Sequence, residues 1–346
     1  MILFAAAMQC GLFVSCRATV DGSQPVPGND YELSQTIEVD GRQGVACDGD
    51  FYYVSSSTQL FKYSLDGILL ASNDNPFSSL EKAANHIGDI DVYGDGIYAG
   101  IETFNDGVGE NIQVAVYDAV TLEYRYSIPW NPESGQVEVC GLAVDAAEGL
   151  VWMADWVQGS ELYAYDLKTR DYVGKTTLSP APRLQQGIFC YKGRILISSD
   201  DGDASDGAPD HIYETTPVLG GTSEVHLWRE MDDFLRAGEI EGLSVNPDNG
   251  DFIVLSNRGS RIVLGMVRGF YDGYDREIHE LYVYRAPQVR LEKELFRLST
   301  KQGSFLCDGW QVNLINDGHA IAYRIPDALY VALFLQSAHA LVHGSG

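Results

Sequence analysis

The stretch Gln43-Gly44-Val45-Ala46-Cys47-Asp48-Gly49-Asp50-Phe51-Tyr52-Tyr53-Val54-Ser55 decides how the chain is read. A lead residue and a glycine open a short apolar strand. Gly49-Asp50 supplies a tight turn, and a second apolar strand runs back through Phe51–Ser55. The same opening returns at Gly88-Asp89-Ile90, Cys140-Gly141-Leu142, Gln186-Gly187-Ile188 and Glu241-Gly242-Leu243. The column 44, 89, 141, 187, 242 advances by 45, 52, 46 and 55 residues. Asp89 is the one copy in which the glycine has given way to a charge.

Each period has room for four strands. The first reads 44–48, 51–55, 60–65 and 68–72, and the next three repeat the plan. The third strands are alike: Phe61-Lys62-Tyr63, Val114-Ala115-Val116-Tyr117, Leu162-Tyr163-Ala164-Tyr165 and Leu281-Tyr282-Val283-Tyr284. Their alternation buries one set of side chains, so the aromatic residues belong mostly to the core between units. A period of this length with four strands per copy predicts an all-β fold, a β-propeller with five blades of four antiparallel strands. Six blades is the alternative, with Phe305–Ile321 as part of the sixth. The fifth unit reads 242–246, 251–255 and 280–285. Its outer strand is expected either from Leu291–Leu298 or from Tyr31–Val39, which would close the ring. The propeller is expected over residues 31–300, with 301–346 as a cap or atypical tail.

The 346 residues carry 23 basic and 49 acidic side chains, a net charge of −26, and are 45% hydrophobic. That charge argues against nucleic acid, whose binders neutralise phosphates, and against an anionic membrane surface. A solvated acidic surface is the simplest consequence, and calcium binding is the sharper one. Residues 1–16 read as a signal peptide or lipoprotein leader, with Phe13–Cys16 similar to a lipobox and Cys16 as the lipidated residue. Residues 17–30 then form a tether. The expected location is secreted or cell-envelope, with membrane contact only through a lipid anchor. Cys47, Cys140, Cys190 and Cys307 show no zinc spacing and read as buried thiols. No Gly-x-Ser-x-Gly elbow, P-loop or His-Glu-x-x-His motif occurs, and no nucleotide, haem or flavin is expected.

Strands A to D of a blade run alternately up and down. The connection into A and the connection out of B therefore share one face, and the A–B turns lie on the other. The A–B turns are short, whereas 71–87, 102–112, 200–210, 229–240 and 257–279 are long. Long loops in a compact domain usually carry function, so this face is the expected site. Ligand-binding candidates there are Gln43, Gln186, Glu102, Asp155 and Arg261, the catalytic candidates His86, Asp89, Glu241 and Arg258. Three local groups stand out. His86 and Asp89 offer an imidazole and a carboxylate for a metal or for proton transfer. Asp201, Asp203 and Asp206 on a Gly-rich loop suit calcium, and a solvated turn is the competing reading. Arg258 and Arg261 suit a bound anion or salt bridges to the acidic ring.

At the Gln-Gly-Val, Gln-Gly-Ile and Glu-Gly-Leu openings the chain resembles the gluconolactonase/regucalcin-like propellers, the esterase-like phytase propellers and the plant-type glutaminyl cyclases. The lactonase-like resemblance implies a divalent metal, calcium or another, at the channel mouth, with Asp89, Glu241 and Asn257 filling the ligand roles. The chain departs from that pattern in carrying Gln43 where a Glu is expected. Two functions follow as expectations. One is a propeller that binds a protein, glycan or small molecule on its long-loop face. The other is a metal-dependent hydrolase of a small ester, lactone or phosphoester.

Overall fold

The computed structural model describes residues 27–105, 108–156, 159–232, 237–263 and 266–286. Beyond these it describes the backbone of 294–297, 304–307, 310–315 and 319–324. The leader, Cys16, most of the tether and the side chain of Cys307 lie outside the described residues.

The chain divides into a unit ending at Arg285 and a second unit, Ala286–Gly346. The first is built from four-stranded antiparallel sheets in which successive strands pair with their neighbours. After the opening strand β1 (Glu32–Val39), the first sheet is β2 (Val45–Cys47), β3 (Phe51–Ser55), β4 (Leu60–Ser64) and β5 (Leu69–Asn73). The second is β6 (His86–Tyr93), β7 (Gly96–Asn105), β8 (Val108–Asp118) and β9 (Tyr124–Pro129). The third runs β10 (Gly141–Asp145), β11 (Leu150–Ala154), β12 (Glu161–Asp166) and β13 (Tyr172–Ser179). The fourth runs β14 (Gln185–Tyr191), β15 (Arg194–Ser199), β16 (Asp210–Thr215) and β17 (Thr222–Met231). Outer strands β13 and β17 pair in parallel at Thr177–Ser179, joining the third and fourth sheets.

The last sheet contains β18 (Gly238–Val245), β19 (Phe252–Arg258) and β22 (Ile278–Arg285), with β1 on its outer edge. Between β19 and β22 the chain makes a separate hairpin, β20 (Ser260–Val263) and β21 (Met266–Phe270). β1 pairs antiparallel with β22 from Glu32↔Arg285 to Val39↔His279. The outer place in this sheet is thus filled from the N-terminal side. Of the two segments expected there, Tyr31–Val39 takes it, and Glu294–Arg297 pairs elsewhere, as β23 of the second unit. That unit has one four-stranded sheet, ordered β23 (Glu294–Arg297), β26 (His319–Arg324), β25 (Trp310–Ile315) and β24 (Ser304–Cys307). Inner strands β2, β6, β10, β14 and β18 touch in that order and return to β2, so five sheets close the ring.

The local sequence explains the hairpins. Gly49 and Gly193 take the left-handed backbone, φ 101° and 76°, that tight A–B turns need. Alternation then sends one row of each strand into the layer between neighbouring sheets. Val45, Val54, Phe61 and Tyr63 pack with Ile253, Leu255 and Leu281 of the last sheet. Tyr53 and Leu60 pack instead with Ile90, Ile97 and Tyr117 of the second. Between the fourth and last sheets the layer is aromatic: Trp228 lies 4.8 Å from Phe252 and 5.5 Å from Tyr31, centroid to centroid. Arg229 Nη1 donates to the carbonyls of Gly28 (2.5 Å) and Tyr31 (3.0 Å) and stacks its guanidinium over Tyr284. The segment just before β1 therefore seals the seam that β1 closes.

Trp228→Ala is expected to cost about 3–5 kcal/mol, read by thermal and denaturant melts. In a variant lacking residues 27–31 the same substitution should cost markedly less, because the ring partner is already gone. Equal costs in the two backgrounds would mean that the N-terminal segment does not seal the seam.

Candidate functional site

The glycine column converges on the ring axis. A Cβ on Gly44 would sit 2.5 Å from Ile90 N and 2.8 Å from Asp89 Oδ1, and one on Gly242 2.6 Å from the same oxygen. One on Gly187 would meet Gly242 Cα at 2.7 Å and Asp89 Oδ2 at 3.1 Å. The glycines are therefore required by close approach of backbones, and the side chain they leave room for is Asp89. Its Oδ1 accepts from Ile90 N (2.9 Å), and its Oδ2 from Ile188 N (2.9 Å) and Leu142 N (3.3 Å). Burial pushes its carboxyl well above the ordinary range, against the pull of these three N–H groups. One carboxyl thus ties the second, third and fourth sheets and lies against glycines of the first, fourth and last.

Above this plug is a cavity of about 130 Å³, open to solvent, on the face of the long connections. The first sheet contributes Arg42, Gln43 and Ser57, and the second His86 and Phe104. The third contributes Glu138, Cys140 and Trp156, the fourth Gln186, and the last Glu239 and Glu241. All sit at the start of an A strand or just past a B strand, the places that strand alternation assigns to one face.

Two carboxyl groupings flank the cavity. On one side Glu102, wholly buried, accepts from His86 Nδ1 (3.3 Å) and Val139 N (3.0 Å), with Gly109 pressed against its carboxyl. Glu138 accepts from the Trp156 amide. Asp155 accepts from Tyr163 Oη (2.9 Å) and the amides of Val137 and Glu138. On the other side Gln186 Nε2 donates to Glu239 (2.8 Å) and Asn257 Nδ2 to Glu241 (2.5 Å). Arg42 lies among Glu239 (3.3 Å), Glu241 (3.9 Å) and Glu277 (3.3 Å). Desolvation raises Glu138 and Glu241 well above the carboxylate range, and nearby carboxylates add to it. Glu239 is raised too, first by burial and against the attraction of Arg42. Cys140 is a buried thiol whose own proton is held more tightly by burial and by Glu138, which makes it a poor nucleophile.

The structure brings together Gln43, His86, Gln186 and Glu241, with Glu102 and Asp155 packed directly behind them. It does not bring Asp89 or Arg258 into that group. Arg258 makes a bidentate pair with Glu280 (2.7 and 2.8 Å) and reaches Tyr274, while Arg261 stacks on Tyr271. Arg258 thus follows the salt-bridge alternative, through Glu280 on the paired strand β22. Asp201 accepts from His211 Nδ1 (2.7 Å) and Tyr213 Oη (2.6 Å), and Asp203 accepts from the amides of Ser205 and Asp206 as a turn does. The donors named for a metal do not converge: Asp89 is spent on backbone amides, and Asn257 Oδ1 accepts from His279 Nδ1 (2.8 Å). Among the described residues no group of three or more His, Cys, Asp or Glu side chains is arranged to hold an ion. Sequence reasoning passed over Arg42, Ser57, Phe104, Cys140 and Trp156. Their positions beside the A and B strand ends are the available signal; the residue types of Ser57, Phe104, Cys140 and Trp156 add none, because such residues are equally common in loops and cores.

Asp89→Ala should cost roughly 3 kcal/mol or more, since it strands buried amide donors. Asp89→Asn, of the same size, should cost less. A melting temperature unchanged by Asp89→Ala would remove the plug from the account. Asp91 gives a pH test. Buried and accepting from Val144 N and Val92 N, its carboxyl is pushed from 3.8 up to about 7. Between those values the folded state holds a proton that the unfolded state has lost, so this contribution to stability falls as pH rises from about 4 to 7. At about 1.4 kcal/mol per pH unit it is worth at most about 4 kcal/mol. Denaturant melts across that window should show a shallower decline for Asp91→Asn than for the parent, and parallel curves would contradict it.

No protein-family model matches the chain, and no curated protein matches it. Among solved structures, the chain is similar to the glutaminyl cyclase of Myxococcus xanthus, at 13% identity and a TM-score of 0.46, over 73% of this chain and 97% of that one. It is also similar to a structural-genomics protein of unknown function from Bacteroides thetaiotaomicron, at 14% identity and a TM-score of 0.42, over 74% and 72% of the two chains. Likenesses this distant carry no argument about activity, and the propeller architecture stands on the strand order and ring closure described above.

Proposed function

We propose that the protein is a ligand-binding propeller whose axial cavity takes a small organic cation. The observation that carries this reading is an imbalance of charge. Glu138, Glu239 and Glu241 line the cavity, Glu102 and Asp155 stand behind it, and Arg42 is the one guanidinium or ammonium among its lining residues. Carboxyls that are desolvated and crowded keep their protons at a cost to charge separation, and an incoming ammonium or guanidinium relieves that crowding. Arg42, spread over three carboxylates at 3.3–3.9 Å, already shows what such a ligand meets. The net charge of −26 draws cations toward the face. We further propose a location outside the cytoplasm, a reading that the leader-like composition of residues 1–16 supports.

The sign of the pH dependence follows. Raised carboxyl pKa values mean that Glu138 and Glu241 are protonated in the empty cavity at lower pH, and a bound cation favours their ionised forms. Binding should therefore release protons, and affinity should rise with pH. Isothermal titration of n-butylamine and n-butylguanidinium is the test, in two buffers of different ionisation enthalpy. Buffer-dependent heats are expected, and Glu241→Gln should weaken binding about tenfold, or about 1.4 kcal/mol. Failure of both cations to bind, or equal binding of butyrate, would overturn the reading.

A further inference from the structure

The two sides of the cavity differ in chemistry, and the difference names a class of ligand. The side formed by the second and third sheets carries three rings in series. His86 and Phe104 have centroids 5.3 Å apart, and Phe104 and Trp156 6.5 Å apart. All three are only partly buried although they line the cavity, so ring surface is presented to whatever occupies it. Across the axis, Gln43, Gln186, Glu239 and Glu241 present amides and carboxyls. The rings come from the second and third sheets, beside Glu138, and Gln43, Gln186, Glu239 and Glu241 come from the first, fourth and last.

A bare ammonium uses only the polar side and leaves the ring surface wet. We infer that the cation is carried by a flat apolar group, so that the ligand is an arylalkylammonium: its ring lies against Phe104 and Trp156 and its ammonium reaches Glu239 and Glu241. Flat groups gain from offset or edge-to-face contact with such rings beyond the area they bury, and a cation close to a ring face gains further. The inference rests on the cation-binding reading above, and its test separates the two.

Affinities of the purified protein for phenethylamine, n-butylamine and 3-phenylpropionate are compared by isothermal titration. Phenethylamine is expected to bind at least tenfold more tightly than n-butylamine, with no binding of 3-phenylpropionate. Phe104→Leu and Trp156→Leu, each checked by its melting curve, should lower the affinity for phenethylamine severalfold, and by a clearly larger factor than the affinity for n-butylamine. Equal binding of the two amines would overturn the ring-recognition inference and leave the cation reading standing. Binding of 3-phenylpropionate as tight as that of phenethylamine would overturn both. If either leucine variant fails to fold, Phe104→Tyr and Trp156→Phe replace them. These keep a ring and should retain the preference for phenethylamine, and loss of that preference in both would again overturn the inference.

Discussion

The structure depends on the close approach of five inner strands at one axis. A Cβ on Gly44, Gly187 or Gly242 would collide there with a neighbouring backbone, which is why these glycines recur. Five backbones around a point leave a small space and several inward-facing amides. Asp89 fills the first and satisfies the second with one carboxyl. A buried amide without an acceptor costs more than a typical hydrogen bond contributes, so this arrangement matters more than its size suggests. Inter-sheet bonds such as Gly242 N to Gln43 O and Asp89 N to Cys140 O reinforce the same level of the axis.

Once the axis is closed, the cavity above it follows. The inner strands splay beyond the glycine level, and the residues that precede or follow them line a mouth. Their side chains are mostly carboxyl, amide and aromatic, and the protein holds most of the carboxyls by donors of its own. Glu102 has His86 and an amide, Asp155 has Tyr163 and two amides, Glu239 has Gln186, and Glu241 has Asn257. Such support orients the groups without cancelling their charge. Arg42 is shared among three of them, and that is the physical basis for reading the cavity as a receptor of cations.

The break in the repeat shows how a correct sequence observation can lead to two structures. Asp89 replacing a glycine beside His86 suggested a metal or a base at the channel mouth. In the fold the two side chains part: His86 turns to Glu102 and the cavity, and Asp89 turns to the axis. The pairing register of β6 shifts between Ile87 and Ile90, which sets the two side chains in different directions, and the glycines of other sheets, far away in sequence, make the space into which Asp89 goes. Arg258 and Arg261 have the same lesson in reverse. Their residue type suits an anion, but in the fold Arg258 pairs with Glu280 and Arg261 stacks on Tyr271.

The all-β class, the four-strand period, the hairpins and the face that carries the long connections are legible in the order of residues alone. Each of these is local: a turn glycine, an alternation of apolar residues, the up-and-down parity of consecutive strands. The sequence also raised Tyr31–Val39 as the closing strand, although Leu291–Leu298 matched the pattern of an outer strand equally well. Only the tertiary structure decided between them, because strand pairing is settled by the shape of the seam, where Tyr31, Trp228 and Arg229 meet. Tertiary structure likewise decided which charged residues face the cavity and which are consumed by neighbours. Spacing places a side chain near the axis, but its partners come from four other sheets, and their geometry is not written in any single repeat.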